Sequence, residues 1–124
     1  MDNTLDLLLK MEIPNAPEKQ VKQKRLSKEC GGNVIFTVRA LSYSRAAEIQ
    51  EEHRFDGDMP IFILLEGLAS PDLKSPELLA KYAAPTPAEL LKKMLLPGEI
   101  EDLSREVEKL SGYRIDTLEE VKKK

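Results

Sequence analysis

The chain has 124 residues, of which 41% are hydrophobic and 33% charged, with a net charge of −3. That is the length of one domain with enough apolar content for a core, and its slight acidity argues against a dedicated nucleic-acid binder. A single cysteine rules out an internal disulfide and fits a reducing compartment.

Asn3 or Thr4 can cap a short amphipathic helix carrying Leu5, Leu8, Leu9 and Met11. Its run Leu7-Leu8-Leu9 lacks the basic n-region and small-residue cleavage site of a signal peptide, so a cytoplasmic protein is expected. Ile13-Pro14-Asn15-Ala16-Pro17 breaks the helix. From Glu18 to Lys28 the chain is basic, and Val21, Gln23 and Arg25 alternate with Lys22, Lys24 and Leu26. This poor two-period suits an edge strand whose lysines discourage pairing with other chains. Gly31-Gly32-Asn33 signals a turn, and Val34-Ile35-Phe36-Thr37-Val38 is dense in β-branched and aromatic residues. These segments predict a β-hairpin over residues 18–41, with its second strand the better buried.

Ser42 or Ser44 starts a helix through about His53, with Ala46, Ile49 and His53 on one thin apolar side. Phe55-Asp56-Gly57-Asp58 is a turn. The stretch Met59 to Leu68 contains Glu66 as its one charged residue. A helix apolar on every face must be covered on every face, which predicts a central core helix. It is far too short for a bilayer, which needs roughly 20 apolar residues. Pro60 suits its first turn, and Leu68-Ala69-Ser70-Pro71 ends it.

Three further helix starts carry explicit chemistry. Ser75-Pro76-Glu77 places an N-cap, a first-turn proline and an acid together. Thr86-Pro87-Ala88-Glu89 is a capping box. Pro97-Gly98-Glu99 opens the last long helix, where Ile100, Leu103, Val107 and Leu110 form an inward stripe and Gly112 marks the end. Asp116 can cap a final short helix with Leu118 and Val121, and the lysine tail should fray. The expected fold is α+β: an N-terminal β-hairpin followed by a compact, mostly α-helical domain of short helices. A single domain 1–124 divides into an N-terminal helix and linker (1–17), the hairpin (18–41), a helical core (42–113) and a C-terminal tail (114–124).

Catalytic and metal-binding patterns are sparse. His53 and Cys30 are the sole residues of their types, so one chain cannot assemble a zinc constellation. Asp56-Gly57-Asp58 resembles a calcium-loop fragment without the remaining ligands, and a turn is the plainer reading. Cys30 would need His53 as its base to act as a nucleophile; a stray hairpin cysteine is the plainer reading. Gly31-Gly32 lacks the spacing and the Lys-Ser/Thr of a phosphate loop. The basic stretch Lys19 to Lys28 could bind phosphate or an acidic partner, but no interleaved aromatics are present to stack bases. No enzyme activity, cofactor, metal, nucleic acid or membrane is expected. The residues alone indicate a small cytoplasmic interaction protein.

The order of short segments adds a resemblance. Lys24-Arg25-Leu26-Ser27 and Ile35-Phe36-Thr37-Val38-Arg39-Ala40-Leu41-Ser42 resemble the N-terminal hairpin of the XkdN-like phage tail assembly chaperones. Leu64-Leu65-Glu66-Gly67-Leu68-Ala69-Ser70-Pro71-Asp72-Leu73 resembles that family's central helix and its exit. Thr86-Pro87-Ala88-Glu89-Leu90-Leu91, Leu95-Leu96-Pro97-Gly98-Glu99-Ile100 and Leu110-Ser111-Gly112-Tyr113 resemble its C-terminal pattern. The likeness implies a non-enzymatic protein of phage or prophage. Such a protein binds the tape measure protein while the tail tube polymerises, and it is absent from the mature virion. The alternative is a generic cytoplasmic adaptor or scaffold with no phage role.

A holdase needs exposed apolar surface, and charge to stay soluble while holding a client. The partner-binding candidates are Leu5, Leu8 and Leu9 of the first helix, and Ile49; self-association is a further expectation. The plainer reading is that both stripes cap the core. The tail Glu119 to Lys124 reads as a basic helix end. The resemblance adds a second reading, in which its consecutive lysine codons form a slippery run that yields a longer, frameshifted product.

Overall fold

The computed structural model describes residues 3–122. Lys123 and Lys124, which end the expected frayed tail, lie outside them.

A three-stranded antiparallel sheet has β2 (Ile35–Arg39) in its middle. On one side β1 (Glu18–Lys22) pairs with it, Glu18 opposite Arg39 and Lys22 opposite Ile35. On the other side β3 (Leu68–Ser70) pairs through Thr37 opposite Ser70, with an irregularity between Thr37 and Val38. Successive side chains of a strand face opposite ways. Phe36 and Val38 therefore both point into the core, at 1% and 0% exposure.

The two expected strands do pair, but a tight turn does not join them. The first strand stops at Lys22, and residues expected to extend it form helix α2 (Lys24–Cys30). Lys, Arg, Leu and Glu are good helix formers, and this helix carries its own caps. Gln23 Oε1 accepts the Leu26 N–H at 2.8 Å, and Gly31 closes the helix in the left-handed region at φ 70°. Ser27 Oγ then accepts the Val34 N–H at 2.8 Å and aims the chain back into β2.

Helix α3 (Tyr43–His53) starts where Ser42 Oγ accepts the Arg45 N–H at 3.3 Å. Helix α4 (Met59–Gly67) is the central core helix, with Ile61, Ile63, Leu64 and Gly67 buried. It runs directly into β3. Three helices complete the body: α5 (Pro76–Lys81), α6 (Pro87–Met94) and α7 (Pro97–Leu110). Ser75 and Thr86 cap the first two as expected, accepting from Leu78 N–H and Glu89 N–H. Helix α7 lays Ile100, Leu103 and Val107 against the core and packs on α4.

The end of α7 has a defined geometry. Gly112, at φ 94°, donates its N–H to Lys109, and Tyr113 donates to Glu108. This is a Schellman motif, which needs the left-handed residue that glycine supplies. The final helix expected after it does not form. Asp116 Oδ1 accepts the Leu118 N–H at 3.4 Å as a local turn, while Leu118 and Val121 stay 86% and 88% exposed. So short a helix with nothing to pack on is not stable in water.

Candidate partner-binding surface

Helix α1 (Thr4–Lys10) buries none of its residues. Leu5, Leu8 and Leu9 share a face at helical spacing and are 68%, 59% and 73% exposed. Leu7 and Met11 are also more than half exposed. Asn3 occupies the N-cap position, but its side chain makes no capping hydrogen bond. The next residues, 11–17, are all exposed, and the chain rejoins the body where Pro17 C=O accepts the Ala40 N–H at 3.0 Å.

A groove of about 640 Å³ lies on the body between α3, α4 and the segment after β3. Phe62, Leu65 and Leu68 line it and are half-buried. This corrects the expectation that the central helix is covered on every face: its Phe62–Leu65 side borders the groove. Ile49, one of the partner-binding candidates, lies at the groove's base and is only 3% exposed. It packs with the core cluster because it sits on the inner side of α3, toward α4.

The groove walls are polar. His53 stacks on Phe62 with ring centroids 3.7 Å apart, and its Nδ1 lies 2.8 Å from Asp56 Oδ2. That contact, with a second from the Asp58 N–H, holds the Asp56 carboxyl below the usual carboxylate range. Arg45 bridges Glu66 at 2.9 Å and Glu48 at 2.6 Å. On the rim, Arg39 and Lys74 form no side-chain hydrogen bond or ion pair with the described residues.

A family model described as the phage XkdN-like tail assembly chaperone protein matches residues 5–123. The chain belongs to this family. The matched span takes in the exposed face of α1 as well as the body. The tail assembly chaperone fold is also similar to the crystal structure of the protein yqbn. The two share 25% identity and a TM-score of 0.66, over 82% of this chain and 90% of that one. No curated protein matches.

The other sequence candidates of this tail assembly chaperone family member lie on separate parts of its fold. Cys30 is exposed at the end of α2, and among the described residues no hydrogen bond joins it to His53. Asp56-Gly57-Asp58 forms a turn in which Asp56 Oδ1 accepts the Asp58 N–H at 2.9 Å. The described residues contain no group of three or more His, Cys, Asp or Glu side chains placed to hold a metal ion. No helix among them is long and apolar enough to cross a membrane. Part of the basic stretch is bound internally: Lys19 pairs with Glu106, and Arg25 with Glu99.

Proposed function

We propose that this chain binds the tape measure protein while the phage tail is built. It acts without catalysis in the host cytoplasm and is left out of the mature virion. Membership of the tail assembly chaperone family supports a role in tail assembly. The observation that carries the finer reading is α1. Three leucines of one helical face stand more than half exposed, on a helix that buries none of its residues. An apolar helix face held out from a well-charged body suits a helical client, which it can cover by helix-against-helix packing.

Co-expression with the tape measure protein tests this. The client should be soluble and co-purify with the chain, and Leu8→Asp with Leu9→Asp should return it to the insoluble fraction. A client that stays insoluble with or without the chain would overturn the reading.

A further inference from the structure

We propose that a small basic hollow beside α2 binds a short acidic segment of a partner protein. The hollow, of about 270 Å³, lies between the end of β1, α2 and the turn that follows it. It shares no lining residue with the groove or with α1.

The basic stretch Lys19 to Lys28 divides into two parts. Lys19 and Arg25 are engaged by Glu106 and Glu99. Lys22, Lys24 and Lys28 form no side-chain hydrogen bond or ion pair with the described residues, and all three line this hollow. Lys24 and Lys28 stand one helical turn apart on the same face of α2. No acid lines the hollow. Lys22 and Lys24 also border a neighbouring hollow that contains Glu99, Asp102 and Glu106, but Arg25, Arg105 and Lys19 hold those acids. Glu29, next to Lys28, is likewise held by Arg25. Lysines on an edge strand can serve only to block pairing. That role does not account for Lys24 and Lys28, which stand on a helix.

Uncharged donors join the three ammonium groups. Ser27 is 8% exposed and lines the hollow; its hydroxyl accepts the Val34 N–H at 2.8 Å, and its own proton meets no acceptor among the described residues. The Asn33 side-chain amide, also on the lining, makes no hydrogen bond with them either. Ionised carboxylates only accept, so they match such a set of donors.

The occupant is a short segment of protein rather than a nucleic acid. The chain as a whole has a net charge of −3, so these three cations stand on a body that is otherwise still more acidic. A long polyanion would run from the hollow onto that body, and no aromatic lines the hollow to stack a base. Lysine is a point charge without the planar fork that grips one phosphate in two places. Lysines spread over a strand end and a helix suit several separate carboxylates.

The test titrates fluorescently labelled hexaglutamate into the purified full chain at low salt. It uses no client and leaves α1 intact, so it stands apart from the tape measure proposal. The peptide should bind, weaken as salt is raised, and shift the Asn33 backbone amide resonance. Lys22→Gln with Lys24→Gln and Lys28→Gln should weaken binding about tenfold. All three lysines are exposed, so the circular dichroism should not change. Lys74→Gln with Lys81→Gln and Lys122→Gln removes the same charge elsewhere and should cost less than about twofold. No binding of hexaglutamate by wild type overturns the proposal. So does an equal loss in the two triple variants, which would show attraction to net charge alone. Tighter binding of oligothymidylate or of inorganic phosphate than of hexaglutamate overturns the acidic peptide as occupant.

Discussion

Arg25 grips Glu99 through two hydrogen bonds, Nε to Oε2 and Nη2 to Oε1, each 2.8 Å. The pair fastens α2 to the first turn of α7. The same guanidinium reaches the Met94 C=O at 3.0 Å, and Glu99 Oε1 accepts the Leu96 N–H at 2.8 Å. A planar fork on a carboxylate is among the stronger polar contacts a protein makes. The Arg25 bonds foremost, aided by the Leu96 N–H, hold the Glu99 carboxyl down at about 2.

Glu99→Gln should cost about 1.5–3 kcal/mol at neutral pH, the range for a hydrogen bond to a charged group. The pH dependence is that of a depressed carboxylate. Its stabilisation is complete above the ordinary value of 4.5 and is lost as pH falls toward about 2. Urea melts of wild type and variant should therefore converge over that window. An equal gap at neutral and acid pH would show that the carboxylate's charge contributes nothing.

Gly67 should not tolerate a side chain. A Cβ there would lie 2.7 Å from Val107 Cγ2 and 3.0 Å from the Arg39 carbonyl oxygen, where α4 meets α7. Gly67→Ala should cost about 1–3 kcal/mol by overpacking. Trimming the neighbour in the double variant Gly67→Ala/Val107→Ala should recover part of that loss, seen as a coupling energy in a double-mutant cycle. Strict additivity would place the clash elsewhere.

Leu64→Ala should lose about 2–5 kcal/mol, because its side chain is fully buried at 0% exposure. Leu65→Ala should lose less, since Leu65 faces the groove. Chemical denaturation of the two variants ranks them directly. The reverse order would mean that the groove is closed in solution.

Leu8→Asp with Leu9→Asp should leave stability within about 0.5 kcal/mol of wild type, as for surface sites. The same change should abolish client solubilisation. A large fall in melting temperature would instead show that α1 packs on its own body.

The legible parts of the fold are those where local chemistry decides. Ser42, Ser75 and Thr86 cap helices where the sequence places caps, and Gly112 ends α7. The density of β-branched and aromatic residues from Val34 to Val38 marks β2. Helix α2 reads as strand because Leu26 is its only strongly apolar residue and gives no helical period. The signals that do mark it are its good helix formers and Gly31, which closes a helix rather than a hairpin. Strand β3 leaves no trace in the sequence, because Leu68-Ala69-Ser70 is a strand only by virtue of pairing with β2.

The surface is half legible. The exposure of Leu5, Leu8 and Leu9 stems from a helix cut off by a proline-bearing linker. The groove has no such signature, because composition cannot distinguish a residue covered by neighbours, such as Leu64, from one that borders a hollow, such as Phe62.

Gly67 ends α4 and Leu68 begins β3, with no residue between them to act as a hinge. Helix and sheet are thus joined directly along the chain, and their opening is expected to be coupled. Amide hydrogen exchange should register this as a shared opening free energy for the backbone N–H groups of α4 and β2, close to that of global unfolding. The amides of α1 should exchange freely in the monomer. The molecule would then combine a body that opens all at once with a lever that can fold and melt without disturbing it.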